Sequence, residues 1–183
     1  MLIERNRFVS DPWVLEKITD RTVCDSFDCG DGDLNEYFHK DVILYRKLLL
    51  TESYYLHLTK QPEIAMALVD FCNDTINLEK IKGKIEVPQG KPQRYWPAVK
   101  VTRLGVTKDL QRQNVGTKIL NMVKEIFITD NRTGCRFVTV DALKDKGIIN
   151  FYQNAGFEIY PSKDKGNIRT VLLYYDLKRP ILS

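Results

Sequence analysis

Hydrophobic positions recur at helical spacing in two parts of the chain. An apolar stripe after residues 27–33 predicts one helix: Leu34, Phe38, Val42, Tyr45 and Leu49. Asp31 or Asp33 suits its N-cap, because a short carboxylate side chain accepts hydrogen bonds from the first free N–H groups. A second stripe predicts a longer helix with Lys118, Asn121, Lys124 and Glu125 on its polar face: Val115, Ile119, Met122, Val123 and Ile126.

β-Branched and aromatic runs predict strands between these helices. The sequence predicts a hairpin at residues 53–59 and 64–71 and longer strands at 96–106 and 137–142. It also predicts an antiparallel pair at 157–160 and 168–177. The polar stretch 73–95 predicts a short helix at about 77–82 and then a loop with Pro88, Gly90 and Pro92. A short helix is expected at 147–155, with Gly156 as its left-handed cap. The order predicts one mixed α/β domain, residues 1–183, around a central sheet.

The segment between strand 96–106 and the longer helix carries the candidate chemistry. Arg103-Leu104-Gly105-Val106 closes the strand, and Gln111-Arg112-Gln113-Asn114-Val115-Gly116-Thr117 leads into the helix. A tight loop of this kind directs free backbone N–H groups and the positive end of a helix dipole at one point. The pattern therefore predicts a phosphate site.

Composition narrows the class without naming a reaction. The 183 residues are 43% hydrophobic and 28% charged, with a net charge of +4, which is typical of a globular protein and permits a polyanionic partner. No apolar run approaches the roughly 20 residues that span a bilayer, and the first residues lack a signal-peptide block, so we expect a cytoplasmic protein. The scattered cysteines and two isolated histidines predict no metal site.

Taken together, four motifs resemble the GNAT superfamily of acyl-CoA-dependent N-acetyltransferases. They are Arg-Leu-Gly-Val, the Gln111 loop with Gly116, Val140-Asp141-Ala142-Leu143, and Phe151-Tyr152 followed by Gly156-Phe157. The resemblance covers residues 96–177. Residues 27–30 (Phe-Asp-Cys-Gly) and 34–38 (Leu-Asn-Glu-Tyr-Phe) also resemble a bacterial subgroup that includes toxins acetylating the amino acid on charged tRNA.

The resemblance implies an α/β, GNAT-like acyl-CoA N-acyltransferase fold, whose central mixed, mostly antiparallel sheet is flanked by helices. It implies acetyl-CoA as co-substrate, direct attack by a primary amine, and Tyr152 as the acid that protonates the departing thiolate. The backbone near Leu104, Gly105 and Val106 would hold the pantetheine. The remaining coenzyme contacts would come from Gln111, Arg112, Gln113, Asn114, Val115, Gly116, Thr117 and Asn150.

The loop departs from the family pattern at one position. The family has Gln/Arg-x-x-Gly-x-Gly/Ala, and Asn114 replaces the first glycine. Asn is the non-glycine residue that best tolerates positive φ, so we expect the loop to keep its shape with a modest loss of affinity. Arg112 and Lys118 are candidate partners of coenzyme phosphates. Asp141 and Asp70 are both candidates for the general base, and the sequence does not choose between them.

The acceptor also stays open at this point. A small amine, a protein amine and aminoacyl-tRNA are all compatible, because Lys and Arg are spread along the chain rather than gathered in a stripe. The subgroup allows a homodimer and an antitoxin-like partner; no membrane partner is expected. The alternative is a non-catalytic acyl-CoA-binding or interaction module on the same fold. A hydrolase is disfavoured, since no nucleophile elbow is present.

Overall fold

The structure is a computed structural model that describes residues 2–4, 6–81, 83, 85–86, 93–131, 133–161 and 169–179. The strands are β1 (Leu2–Glu4), β2 (Arg7–Ser10), β3 (Trp13–Lys17), β4 (Glu52–Leu58), β5 (Ala67–Asn77), β6 (Tyr95–Val106), β7 (Phe137–Leu143), β8 (Glu158–Ile159) and β9 (Thr170–Asp176). The helices are α1 (Gly32–Glu36), one π-helical turn (Tyr37–Asp41), α2 (Val42–Lys47), α3 (Val115–Thr129), α4 (Lys146–Asn154), and the short 3-10 helices Arg21–Cys24, Leu78–Lys80 and Lys108–Leu110.

The strands pair in the order β1-β2-β3-β4-β5-β6-β7-β9-β8. The β6–β7 pair is parallel, and the other pairs with a defined register are antiparallel. The mixed, mostly antiparallel sheet predicted from the sequence is therefore confirmed. By their contacts the residues form two compact units, one of Met1–Cys72 with Thr102–Ile126 and one of Asn73–Val101 with Phe127–Ser183.

The first unit has an aromatic core below its helical segment. Phe27 and Phe38 are buried and meet edge to face, with ring centroids 5.8 Å apart. Asp31 is the N-cap, and its carboxylate accepts from the Leu34 N–H at 3.0 Å, as expected. The π-helical turn changes the helical phase, so that the consecutive residues Tyr37 and Phe38 are both buried. The sequence did not predict this turn.

The second unit has its own aromatic core on β7 and β9. Phe137 and Tyr174 are fully buried and packed edge to face, and Ile76, Leu78 and Tyr160 join the same cluster. Helix α4 begins after Asp145, whose carboxylate accepts from the Ile148 N–H. It is followed by Gly156 at φ +86°, which confirms the predicted left-handed cap.

Three strands at the start of the chain were missed. β1 pairs with β2, β2 with β3, and β3 with β4, all antiparallel. Each has at most five residues, too few for a sequence period to stand out. The stretch 73–77 was not predicted as a strand but continues β5, and the short helix predicted at about 77–82 is the 3-10 turn Leu78–Lys80. The predicted loop at Pro88, Gly90 and Pro92 lies outside the described residues.

Two side chains also differ from their predicted environments. Leu49 was placed on the buried stripe but is 88% exposed, because the chain turns to φ +59° there and α2 ends at Lys47. Lys124 was placed on the polar face of α3 and is fully buried. Its ammonium donates to Asn121 Oδ1 at 3.1 Å, and desolvation lowers its pKa to about 8.

Candidate active site

Gly105 lies directly against the turn that precedes α1. A Cβ at this position would be 3.0 Å from Phe27 Cζ and 3.3 Å from Cys29 Sγ. The absent side chain therefore lets the turn at 27–30 pack on the end of β6. Two of the segments that carry the resemblance, residues 27–30 and 103–106, are therefore in contact inside the first unit.

Polar contacts fasten the same turn to the start of the loop. The Gln111 side chain donates to Cys29 O at 2.7 Å and to Val106 O at 3.0 Å. Lys108 Nζ is 2.7 Å from Asp28 Oδ2, and this hydrogen bond is the largest cause that lowers the pKa of Asp28 to about 2. The Gln111 side chain is thus engaged with the protein backbone, a role that the sequence did not indicate.

The loop backbone enters the left-handed region twice before α3. Arg112 has φ +60° and Asn114 has φ +63°. Asn114 O accepts from Lys118 N at 2.9 Å, so the helix starts immediately after Asn114. Val115, Gly116 and Thr117 form its first turn, where N–H groups have no partner within the helix. Asn114 thus has a left-handed backbone conformation, which glycine adopts most readily.

The polar side chains of the loop point to different neighbours. Gln113 Nε2 donates to Asp109 O at 2.7 Å, and Lys118 Nζ lies 3.3 Å from Ser10 Oγ. Arg112 is exposed. Backbone N–H groups are therefore the principal anion donors that this loop offers, with the exposed Arg112 as a cation at its edge.

The three predicted pantetheine contacts lie on the last part of β6. The register pairs between β6 and β7 run from Ala98↔Phe137 to Val101↔Val140. Leu104, Gly105 and Val106 lie beyond these pairs. Of the three, Gly105 is buried, and Leu104 and Val106 are half-buried.

Tyr152 lies on α4 in the second unit and is 7% exposed. Its ring meets Phe151 and Phe157 edge to face at 4.9 and 5.5 Å, and burial raises the pKa of the phenol to about 12. Its hydroxyl has no hydrogen bond to any residue in the described part of the chain. Asn150 is on the same helix and is exposed.

The surroundings of Asp70 do not suit a general base, because its carboxylate is already engaged inside the protein. It is fully buried and accepts hydrogen bonds from Ser53 Oγ at 2.5 Å, Thr102 Oγ1 at 2.6 Å and Arg103 Nη1 at 3.0 Å. Arg103 in turn stacks on Tyr37, with Cζ 3.5 Å from the ring centroid. Three donors therefore hold this buried carboxylate in a hydrogen-bonded network inside the protein.

Asp141 is also paired, although it is exposed. Its Oδ2 lies 2.8 Å from Lys100 Nζ, which is 3.5 Å from Asp74 Oδ2 as well. Thr139 Oγ1 donates to the same Asp74 oxygen at 2.6 Å. Asp141 is therefore one partner of an ion pair with Lys100.

Sequence reasoning missed the Arg103–Tyr37–Asp70 cluster. Its members are separated by 33 residues or more along the chain, and hydrophobic periodicity carries no information on such pairs. The one available signal was an arginine inside a strand that is mostly apolar but also carries Lys100 and Thr102.

The described residues offer neither a metal site nor a membrane-spanning helix. They contain no group of three or more His, Cys, Asp or Glu side chains arranged to hold a metal ion. None of the described helices is long and apolar enough to cross a membrane.

Several solved structures are similar to this chain over nearly its whole length. AtaT complexed with acetyl-methionyl-tRNAfMet is 18% identical, with 91% of this chain and 95% of that chain covered and a TM-score of 0.73. A tyrosine-to-phenylalanine mutant of KacT is 19% identical, with coverages of 91% and 96% and a TM-score of 0.72. A corresponding AtaT mutant toxin bound to the antitoxin AtaR C-terminus and acetyl-CoA is 18% identical, with coverages of 92% and 95% and a TM-score of 0.69.

No protein-family model and no curated protein matches this sequence. The structural likeness agrees with the fold that the motif resemblance implies. The chain therefore has the GNAT-type fold of the AtaT and KacT toxins.

Proposed function

We propose that this chain is an acetyl-CoA-dependent N-acetyltransferase whose acceptor is the amino acid of a charged tRNA. The observation that carries the proposal is the backbone at Asn114. A side chain-bearing residue occupies φ +63° at the start of a 15-residue helix, where the family pattern has a glycine. The loop thereby keeps its N–H groups available for a pyrophosphate despite the substitution.

In the proposed reaction the acceptor amine attacks the thioester carbonyl carbon of acetyl-CoA. The C–N bond forms, the C–S bond breaks, the amine loses a proton, and the thiolate of coenzyme A receives one. Backbone N–H groups of residues 104–106 would hold the pantetheine and polarise the carbonyl. The first-turn N–H groups of Val115, Gly116 and Thr117 would bind the pyrophosphate.

Tyr152 would supply the proton for the thiolate. With a pKa of about 12 the phenol is fully protonated at neutral pH, which an acid requires. That value is higher than the pKa of an ordinary thiol, so transfer in water would be uphill. A coenzyme thiol buried in the same site would also have a raised pKa, which would bring the two groups closer to a match.

The paired state of both carboxylate candidates favours an α-amine as acceptor. An α-amino group has a pKa near 8, whereas a lysine side chain has one near 10.4. An α-amine is thus largely neutral at slightly alkaline pH and needs only water to take its proton. Asp70 and Asp141, each held by a cation, suit that acceptor better than a lysine side chain.

The similar structures support the same acceptor and partner. AtaT was solved with acetyl-methionyl-tRNAfMet, and an AtaT mutant with acetyl-CoA and the C-terminus of the antitoxin AtaR. By this likeness we infer that the chain acts on aminoacyl-tRNA as a single 183-residue domain and is controlled by an antitoxin-like protein. A homodimer and a cytoplasmic location belong to the same proposal.

The test combines binding with transfer. Isothermal titration should show micromolar binding of acetyl-CoA, and mass spectrometry should detect acetylated aminoacyl ends after incubation with charged tRNA. Uncharged tRNA and a lysine-containing peptide are the matched controls and should stay unmodified. Binding without transfer to any amine would favour the non-catalytic acyl-CoA module, and no binding of acetyl-CoA would refute both.

A further inference from the structure

The guanidinium of Arg103 is rigidly held on two sides. Its Nη1 donates to the buried Asp70 carboxylate at 3.0 Å, and its Cζ lies 3.5 Å from the Tyr37 ring centroid and 5.4 Å from that of Tyr45. Stacking on a ring and pairing with a carboxylate fix both the plane and the rotation of the group. Arg103 is therefore pre-organised before any ligand arrives.

The supports of this group are themselves fixed. Asp70 is also held by Ser53 and Thr102, and the Tyr37 hydroxyl is 3.0 Å from Thr51 Oγ1. Asp70 and Ser53 are fully buried. Such a network does not rearrange at low cost, because each buried polar group would lose its partner.

The rest of the guanidinium is available. Among the described residues, Asp70 is the one acceptor of an Arg103 hydrogen bond, although the group carries several N–H donors. None of its nitrogens is both enclosed and without an acceptor, and the side chain is 27% exposed. The unused donors lie in the plane of the guanidinium, on a side chain that is partly exposed.

The position along β6 indicates which ligand would meet these donors. Arg103 immediately precedes Leu104, Gly105 and Val106, which the proposed function assigns to the acyl-bearing end of acetyl-CoA. Along a strand, residues 103 and 105 are about 7 Å apart. This separation is roughly the length of one nucleotide, so an anion bound by Arg103 would lie about one nucleotide from a group held near Gly105. Planar guanidinium donors match the oxygens of a phosphate in pairs.

We propose that Arg103 binds the phosphate of the terminal nucleotide of the aminoacylated RNA, with Asp70 and Tyr37 as its positioning residues. This inference rests on the proposed function. An aminoacyl ester has no free carboxylate, so the phosphate is the anion that the acceptor offers close to its amine. Arg103 is thereby a specificity-determining residue that distinguishes a nucleotide-linked amino acid from a free one.

Two matched acceptors test this directly. One is an aminoacyl-adenosine in which a stable amide replaces the ester, and the other is the same compound with a 5′-phosphate. For the wild-type protein the phosphate should raise kcat/KM about tenfold or more, mainly through KM. In Arg103→Gln the two acceptors should be equal, while acetyl-CoA binding stays within about twofold. Asp70→Asn should reduce the preference part of the way.

The preference is the ratio of the kcat/KM values of the two acceptors, measured on one protein preparation. Partial unfolding of a variant lowers both values alike, so it does not mimic the expected loss of preference. Arg94→Gln, at an exposed arginine of the second unit, controls for a change of net charge and should keep the preference. An unchanged preference in Arg103→Gln would overturn the inference. So would efficient acetylation of a free amino acid that depends on Arg103, because the bound anion would then be a carboxylate.

Binding of unreactive ligands separates this inference from the proposed reaction. The wild type should bind adenosine 5′-monophosphate about tenfold more tightly than adenosine, and Arg103→Gln should bind both equally. If this binding pattern is found but the protein shows no turnover, the proposed function alone is refuted. Equal binding of the two ligands by the wild type would refute the role of Arg103 alone.

Discussion

Phe27 and Gly105 meet so closely that no side chain fits between them: a Cβ at position 105 would lie 3.0 Å from Phe27 Cζ. Phe27 is buried against Phe38 and cannot withdraw. The contact joins the turn before α1 to the strand end that precedes the phosphate loop. The resemblance motifs at 27–30 and 103–106 thus belong to one packing unit.

Gly105→Ala should therefore destabilise the protein by about 1–3 kcal/mol, the usual cost of overpacking a fixed core. Thermal unfolding followed by circular dichroism measures the change. Gly32→Ala is the matched control, since nothing lies within 4 Å of a Cβ there and the position begins α1. It should be neutral or slightly stabilising. Equal stabilities for the two variants would mean that Phe27 can move away.

Leu49→Gly should stabilise the protein by roughly 0.5–1 kcal/mol. Leu49 N and Leu50 N donate to Arg46 O and Tyr45 O at the end of α2, which is the Schellman pattern with leucine at the left-handed position that glycine prefers. The side chain is 88% exposed, so removing it costs little burial. Chemical denaturation measures the gain.

Leu44→Gly is the opposite case and serves as its control. Leu44 is 52% exposed within α2, where glycine costs about 1 kcal/mol. The two Leu-to-Gly changes should shift the denaturation midpoint in opposite directions. A loss of stability in Leu49→Gly would show that its side chain makes contacts that outweigh the backbone strain.

The end of α2 near Leu49 marks the limit of what the sequence could predict. The stripe from Leu34 to Tyr45 identified the helical segment, because most of its members meet a core that any amphipathic helix needs. The period continued formally to Leu49, but the helix ends at Lys47. Where a helix ends depends on hydrogen bonds of the following turn, which an apolar period does not encode.

The candidate site likewise has features that the sequence could predict and features that it could not. The backbone state of Asn114 was predictable, since it follows from the local preference of one residue type. The engagement of Asp70 and Asp141 was not, because their cations come from neighbouring strands. Whether a carboxylate is a free base or half of an ion pair is decided by tertiary contacts, so from the sequence alone both residues stayed candidates for the general base.

Lys124 should make stability depend on pH. Its folded pKa of about 8 lies below the usual 10.5, so between these values the unfolded chain binds more protons than the folded one. Stability attributable to this residue therefore rises with pH across that window, by as much as about 3 kcal/mol, and its burial penalty is present in full below pH 8.

Lys124→Met should remove this rise and increase stability at pH 7. Thiols and phenols with raised pKa values also titrate above pH 8, so the informative quantity is the difference between wild type and variant. Denaturation at pH 7, 8, 9 and 10 measures it. Lys47→Met, at an exposed lysine, should leave the difference flat. A flat difference for Lys124→Met too would show that the ammonium keeps its charge when buried.

Asn114→Gly should tighten acetyl-CoA binding by a few fold. Glycine adopts φ +63° without strain, which removes the cost of holding the loop in its binding shape. Asn114→Ala should weaken binding, since alanine tolerates this region less well than asparagine. Isothermal titration of the three proteins gives the order Gly, Asn, Ala. Weaker binding by the glycine variant would show that the Asn114 side chain itself contacts the coenzyme.

Tyr152→Phe should lower kcat by about 10²–10⁴-fold, the usual contribution of a general acid, with acetyl-CoA binding unchanged. The ring contacts with Phe151 and Phe157 remain in the variant, and the hydroxyl has no partner among the described residues whose loss would destabilise the fold. Tyr95→Phe, at an exposed tyrosine, should keep full activity. Normal turnover in Tyr152→Phe would remove this residue from the mechanism.

The pH–rate profile of the wild type provides an independent measure of Tyr152. The rate should rise as the acceptor α-amine loses its proton near pH 8. Because the phenol stays protonated up to a pKa of about 12, no falling limb from this acid should appear between pH 8 and 10. A phenol of ordinary pKa would begin to lose activity near pH 10. A fall in rate already at pH 9, absent from the residual activity of Tyr152→Phe, would show that coenzyme binding lowers the pKa of Tyr152.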